Sequence, residues 1–298
     1  MGSSRIESEG GAMDGFLEDF DTLDSRQFVI ALRKLANSLT YGIDKSPFVG
    51  SGIEYAQSRL YQWGDSVRAM DWRVTARTQK HHVKEYETPK TMPAYFLIDT
   101  SASMAVSSTR RSKYEIALYV AGGLALACLD RVSPVGVIGV GERRLRIRPS
   151  LARDRVLQWL LELRRFRYDE RTTLAQRIVE VSPSLTERSL IIVLSDLHDP
   201  DAPRALRRLA QLHDCIVIEL HDPAELGLHG SGFFRAREAE TGREFVTHGR
   251  KRWLPPKDLA RELKRSGVDH LVIRTDKPFE PALRQMFRAR AWAGRGTR

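Results

Sequence analysis

A chain of 298 residues, 42% of them hydrophobic and 29% charged, has the composition of a soluble protein large enough to bury a core. No run approaches the roughly 18 to 20 apolar residues of a membrane-spanning helix, and the amino terminus lacks the basic-then-apolar order of a secretory signal. Cys128 and Cys215 stand in apolar runs, which favours buried thiols over a disulfide. We therefore expect a cytoplasmic protein without a membrane span.

The net charge of +10 is unevenly distributed along the chain. The first 24 residues hold seven acidic side chains and one basic one, so the rest of the chain carries a net +16. A surface of that sign attracts anions. The basic residues are scattered, however, and no aromatic residues are interleaved with them, so nucleic-acid binding is not favoured.

The amino-terminal part of the chain has three predicted regions. Residues 1–24 are acidic and lack apolar periodicity, which indicates a flexible tail. Apolar residues from Phe28 to Leu39 recur at helical spacing, with Ser25 as a cap, and predict a helix. A polar segment rich in aromatic residues follows, so residues 25–91 comprise a helix and an arm.

From residue 92 to residue 298, apolar strands alternate with amphipathic helices. Such alternation predicts an α/β fold with a mostly parallel, Rossmann-like sheet that helices cover on both faces. Residues 233–247 alternate on both sides of Glu-Thr-Gly and predict a carboxyl-terminal hairpin near 230–250. The predicted strands are 94–100, 134–140, 143–148, 189–196, 215–220 and 270–275, and the predicted helices are 114–129, 153–163, 174–181, 202–212, 259–264 and 281–290.

The first of these strands ends in an Asp-x-Ser-x-Ser spacing formed by Asp99, Ser101 and Ser103. Ligands of open α/β sheets bind at the carboxyl ends of strands, and these oxygen donors suit Mg²⁺ or Mn²⁺. Thr172, before a later helix, and Asp196, at the end of another apolar strand, complete a candidate metal site. Thr173 is the alternative to Thr172, and capping of the next helix is the alternative to metal binding.

In this order, the five residues resemble the metal-ion-dependent adhesion site of von Willebrand factor A domains. The resemblance implies a von Willebrand factor A-like version of the Rossmann-like fold with a bound Mg²⁺ or Mn²⁺. It further implies that the two serines and the threonine are direct ligands, while the two aspartates act largely through water or by orienting the serines. One coordination position then stays open for a Glu or Asp of a protein partner.

The arm carries a second set of residues with a family resemblance, namely Gly64, Asp65, Arg68, Asp71, Trp72, Thr75, Ala76 and Arg77. Together with the metal motif, this spacing is similar to that of domain-of-unknown-function family fifty-eight, a group of prokaryotic von Willebrand factor A-like proteins. The resemblance covers roughly residues 50 to 290. It implies a MoxR-type AAA+ ATPase as partner.

These features favour a metal-dependent protein-interaction module, an adaptor or co-chaperone of such an ATPase, over an enzyme. The sequence has no Gly-x-Ser-x-Gly elbow, phosphate-binding glycine loop or zinc-ligand spacing, and no general base beside the metal motif. The alternative function is a Mg²⁺-dependent phosphoesterase or nuclease. Two interpretations of the arm stay open. Its Asp and Arg residues form a salt-bridge network with Trp63 and Trp72 as core anchors, or the arm forms part of the partner surface.

Overall fold

A computed structural model of the protein describes residues 14–16, 25–40, 54–87, 92–167, 169–226, 233–237, 244–248 and 259–292. The strands in this part of the chain are β1 (Asp14–Phe16), β2 (Glu54–Leu60), β3 (His82–Glu87), β4 (Ala94–Ile98), β5 (Val135–Gly139), β6 (Arg146–Ser150), β7 (Arg165–Arg167), β8 (Leu190–Ser195), β9 (Asp214–His221), β10 (Phe233–Arg237), β11 (Glu244–His248) and β12 (Asp269–Arg274). The helices are α1 (Ser25–Thr40), α2 (Trp72–Thr78), α3 (Ala102–Ala105), α4 (Lys113–Asp130), α5 (Arg153–Leu163), α6 (Leu174–Val181), α7 (Ala202–Leu212), α8 (Leu259–Arg265) and α9 (Glu280–Trp292).

Six strands form the central sheet, in the order β12-β9-β8-β4-β5-β6. All neighbours are parallel except the edge strand β6, which runs antiparallel to β5. Because the chain starts in the middle at β4, moves to one edge and then returns to continue at β8, the sheet has a switch point between β4 and β8. Ligands of doubly wound sheets bind in the crevice at such a point.

Helices cover both faces of the sheet, as strands buried on both sides require. One face packs against α1, α4, α5 and α9, and the other packs against α6, α7 and α8. Every residue of β5 and β8 is buried, which explains their uninterrupted apolar sequences. The mostly parallel α/β fold predicted from the sequence is confirmed.

Close packing between α1 and α4 depends most on Gly123. A Cβ atom built on Gly123 would lie 2.4 Å from Cδ2 of Leu35, and one built on Gly122 would lie 3.0 Å from Cδ1 of Leu32. Leu35 therefore occupies the space that a side chain at position 123 would fill, whereas a Cβ at position 122 would meet only the flexible end of Leu32 in α1. This contact places the amino-terminal helix on the sheet domain.

Most predicted elements are present, and three regular helices (α5, α6 and α7) have the predicted bounds. The predicted hairpin corresponds to the antiparallel pair of β10 and β11, and Cys128 and Cys215 are both buried. The prediction of a flexible tail lies outside the described residues except for β1, which pairs antiparallel with β7. Neither of these short strands, nor the antiparallel pair of β2 and β3 in the arm, was expected from the sequence. No helix in the described ranges is long and apolar enough to cross a membrane.

Candidate functional site

The carboxyl ends of β4 and β8 lie side by side and carry the two aspartates of the sequence motif. Asp99 follows β4 and Asp196 follows β8, and the backbone N–H of Asp99 donates to the carbonyl of Leu194 at 2.9 Å. Both aspartates are fully buried. The switch point of the sheet therefore holds two carboxylates away from water.

Asp99 is the centre of a hydrogen-bond network. Its Oδ1 accepts the backbone N–H of Ser101 at 3.0 Å, and its Oδ2 accepts the hydroxyls of Ser195 at 2.5 Å and Thr172 at 3.4 Å. Burial, and then the nearby charge of Asp196, raises the pKa of Asp99 to about 7, although the hydrogen bonds from Ser195 and Ser101 oppose the shift. A cation beside Asp99 would favour the ionised form of this carboxyl.

The serines and threonine of the motif bring their hydroxyls to the same cleft. Ser101 Oγ lies 3.1 Å from Ser103 Oγ, and the Ser103 hydroxyl is close enough to Asp196 to help lower the pKa of that carboxyl. Adjacent ligands of an octahedral Mg²⁺ ion stand about 2.9 Å apart, because each lies about 2.0 to 2.1 Å from the ion. The observed spacing of the two serine oxygens thus fits such an ion.

The two candidate threonines have different surroundings. Thr172 donates to Asp99, whereas the hydroxyl of Thr173 contacts the carbonyls of Val140 at 3.0 Å and Gly141 at 2.9 Å. Thr173 therefore serves the backbone, and Thr172 is the one that faces the cleft. The role of Thr172 as a metal ligand stays a prediction.

Asp196 is paired with a buried lysine. The Nζ of Lys113, the first residue of α4, donates to Asp196 Oδ2 at 2.8 Å and also contacts Glu225 Oε1. His198 Nδ1 lies 3.3 Å from the same Oδ2 atom. Although burial opposes it, the ammonium of Lys113 and then His198 lower the pKa of Asp196 to about 2. Asp196 is therefore ionised at neutral pH, with the Lys113 ammonium as its counter-ion.

The contacts of Lys113 decide whether a second metal ion fits nearby. Ligand atoms of Asp196, His198 and Glu225 all lie within 4.8 Å of one another. Because the Lys113 ammonium already contacts both carboxylates, this group does not make a separate metal site. The donors that suit a hard divalent cation are the carboxylate of Asp99 and the hydroxyls beside it.

Glu170 fastens three loops around this cleft, and sequence reasoning missed it. Its fully buried carboxylate accepts Thr100 Oγ1 at 2.6 Å, Arg143 N at 3.0 Å and Arg143 Nε at 2.7 Å. Its carbonyl accepts the backbone N–H of Ala102 at 2.7 Å. A Cβ on Gly141 would approach Glu170 Oε1 to 2.2 Å. These contacts fix the loops that carry the serines and the threonine.

The arm residues have local structural roles. Gly64 has φ +105°, a conformation that favours glycine, in the turn after β2. Asp65 forms a bidentate pair with Arg59, with both distances at 2.7 Å, and accepts the N–H of Gln62 at 2.8 Å. The Arg59 hydrogen bonds, then that of Gln62, lower the pKa of Asp65 to about 2. Asp71 caps α2 through the N–H groups of Arg73 and Val74 and accepts the Ser58 hydroxyl at 2.6 Å.

The tryptophans of the arm are not core anchors. Trp63 is fully exposed and Trp72 is 63% exposed, so the interpretation that they anchor the arm in the core is wrong. Asp65 and Asp71 of the arm bond to Arg59, to Ser58 and to backbone groups, and Arg68 and Arg77 are both exposed. The proposed contact of the arm with a partner stays a prediction.

Comparison with known proteins gives a family and several relatives. The family described as "Protein of unknown function DUF58" matches residues 57–278, which include the arm residues from Gly64 to Arg77 and all five motif residues. The chain is 27% identical over 268 residues to Uncharacterized protein Mb1516 of Mycobacterium bovis and to Uncharacterized protein Rv1480 of Mycobacterium tuberculosis, with 85% of this chain and 84% of each relative covered. A crystal structure described as an uncharacterized membrane spanning protein from Vibrio fischeri matches at 17% identity and a TM-score of 0.21, covering 65% of this chain and 96% of that one.

Proposed function

The chain belongs to the DUF58 family of proteins of unknown function, and from its hydroxyl-lined cleft we propose that it is a metal-dependent protein-interaction module. The cleft binds one Mg²⁺ or Mn²⁺ ion, and the ion grips a carboxylate of a protein partner. One observation carries this proposal. A buried carboxylate at the switch point, that of Asp99, accepts the hydroxyls of Ser195 and Thr172, and the Ser101 and Ser103 hydroxyls lie 3.1 Å apart in the loop that follows it.

The topology of the sheet supports a von Willebrand factor A-like version of the fold. The sheet is parallel except for its edge strand β6. The motif residues lie at the carboxyl ends of the parallel strands, on the loops after β4 and β8 and before α6. Along the chain, the loop with Asp99, Ser101 and Ser103 comes first, Thr172 second and Asp196 last, which is the order in the metal-ion-dependent adhesion site. This agreement supports the metal-ion-dependent adhesion site as the template for the function.

The charge of the ligands supports a carboxylate partner. Hydroxyl ligands are neutral, so an ion held by Ser101, Ser103 and Thr172 keeps more positive charge than one held by carboxylates alone. That charge attracts a Glu or Asp side chain strongly in a buried, water-poor cleft. We propose that a MoxR-type AAA+ ATPase provides or delivers this partner and that the chain acts as its adaptor.

Capture of the ATPase from a mixture of purified proteins tests the partner. The chain should retain a MoxR-type ATPase from the same cell in Mg²⁺ and release it in EDTA. Asp99→Ala should fail to retain it in either condition, and the matched control Asp154→Ala, on the exposed start of α5, should behave as wild type. Equal capture in Mg²⁺ and EDTA would contradict a metal-dependent contact.

One contact favours the alternative of a Mg²⁺-dependent phosphoesterase or nuclease. The imidazole of His198 lies 3.3 Å from Asp196, an arrangement that can orient a histidine for proton transfer. Under this alternative, turnover of phosphoesters or nucleic acid requires Mg²⁺ and is lost in His198→Ala. Absence of turnover in wild type leaves the interaction module as the function.

A further inference from the structure

Lys113 carries a positive charge at a position where both the helix dipole and burial disfavour a cation. It is the first residue of the 18-residue helix α4, and the amino-terminal end of a helix dipole disfavours cations. Its side chain is only 2% exposed, so burial penalises the ammonium form. Burial alone would lower its pKa, but the charges of Asp196 and Glu225 raise it instead. The two carboxylates therefore account for a lysine at this position.

The charge balance of the cleft shows what the lysine changes. Arg143 already balances the charge of Glu170, which leaves the carboxylates of Asp99, Asp196 and Glu225, and Lys113 contacts the last two. A divalent ion together with the ammonium matches three negative charges, whereas the ion alone leaves one in excess. Without the lysine, the one excess negative charge in a buried cleft would strengthen the binding of a cation and weaken the binding of an anion.

We propose that Lys113 determines the specificity of the cleft. As a permanent counter-cation to Asp196 and Glu225, it lets the metal-loaded cleft accept an anionic partner that carries a carboxylate. Lys113 thus weakens metal binding and strengthens carboxylate binding. This inference rests on the proposed function, because it requires a divalent ion among the hydroxyls.

The test replaces Lys113 with methionine, which has a similar length and no charge, and uses Mn²⁺ and acetate as probes. Calorimetry gives the affinity for Mn²⁺, and displacement of Mn²⁺-bound water, followed by proton relaxation, gives the affinity for acetate. We expect Lys113→Met to bind Mn²⁺ roughly tenfold more tightly and acetate roughly tenfold more weakly than wild type. A purely structural lysine would not shift the two affinities in opposite directions.

Two further variants keep the test decisive. Glu225→Gln removes one partner of Lys113 and one negative charge, so its shifts should be the reverse of those in Lys113→Met. Lys264→Met makes the same substitution on the exposed surface of α8 and should change neither affinity. If Lys113→Met does not fold, as shown by circular dichroism, Glu225→Gln decides alone.

Unchanged or jointly reduced affinities in folded Lys113→Met overturn the inference and leave the proposed function standing. Unchanged affinities of Glu225→Gln for Mn²⁺ and acetate also overturn the inference and leave the proposed function standing. Failure of wild type to bind Mn²⁺ overturns the proposed function and this inference with it.

Discussion

Gly141 is the position where a single methyl group should do most damage to the cleft without touching a motif residue. A Cβ there would lie 2.2 Å from Glu170 Oε1 and 2.3 Å from Thr100 Oγ1, well inside ordinary contact distances. Both atoms are buried and joined by a 2.6 Å hydrogen bond, so they cannot move into solvent to make room. Gly141→Ala therefore forces this bond to break or the surrounding loops to shift.

The expected cost combines two contributions. Loss of a buried hydrogen bond to a charged group costs about 1.5 to 3 kcal/mol, and overpacking costs about 1 to 3 kcal/mol. We therefore expect Gly141→Ala to lower the free energy of unfolding by about 2.5 to 6 kcal/mol, which urea denaturation measures. Affinity for Mg²⁺ should fall as well, because Glu170 fixes the loops that carry Ser101 and Thr172.

Gly122→Ala is the matched control for this substitution. Its Cβ would meet the flexible ends of Leu32 and Leu160 at 3.0 Å, and alanine gains about 1 kcal/mol over glycine within a helix. We expect its stability to stay within about 1 kcal/mol of wild type. If Gly141→Ala is as stable as Gly122→Ala, the loops around Glu170 are looser than the structure indicates and the reasoning is refuted.

Two further predictions separate binding from stability. Thr172→Val should lower the affinity for Mg²⁺ at least roughly tenfold with little change in stability. Thr173→Val loses hydrogen bonds to Val140 and Gly141, so it should cost about 1 kcal/mol of stability and leave the affinity for Mg²⁺ unchanged. Calorimetry measures the affinities and urea titration the stabilities, and the reversed pattern would contradict this assignment of the two threonines. Burial alone would raise the pKa of Glu219, but hydrogen bonds from His221 and His270 lower it to about 2 from an ordinary value of 4.5. The ionised Glu219 carboxylate therefore stabilises the fold at pH values above its ordinary pKa, and this stabilisation is lost on acidification. Between about pH 5 and about pH 3, the free energy of unfolding of wild type should fall by about 2 kcal/mol more than that of Glu219→Gln. Urea midpoints that change in parallel for the two proteins over this range would contradict the prediction.

Periodic apolar sequence was sufficient to predict the regular part of the fold. The bounds of α5, α6 and α7 agree with the sequence pattern because each helix buries one apolar stripe against the sheet. The short strand β7 has only three residues, Arg165–Arg167, and exists because β1, far away in the chain, pairs with it. Such a non-local partner leaves no local signal.

The arm shows a different limit of sequence reasoning. Tryptophan is usually well buried, which is why core anchoring of Trp63 and Trp72 is one of the two interpretations that the sequence of the arm allows. Burial depends on whether another element packs against the ring, and both rings are exposed. The polar residues of the arm were likewise interpreted through their charges, whereas Asp71 acts as a helix cap.

In the cleft, the spacing in the sequence singled out the candidate residues that share one loop. The order of the strands in the sheet places the residues that are distant in the chain beside them. Asp99, Ser101 and Ser103 follow one strand, and Asp196 follows its neighbour in the sheet. Ser195 and Lys113 were missed because a single serine in an apolar strand, or a lysine at the start of a helix, has no diagnostic spacing. The unfavourable position of Lys113 at a helix amino terminus was the one signal available.

The central claim is that the cleft binds one divalent cation through Asp99 and its neighbouring hydroxyls. Calorimetric titration of Mg²⁺ at about pH 8, where Asp99 is ionised, tests this claim most directly. We predict a single site in wild type and in the remote control Asp154→Asn, and none in Asp99→Asn, which keeps the shape of the side chain without its charge. Equal Mg²⁺ affinity in wild type and Asp99→Asn, or no binding by wild type, would contradict the claim.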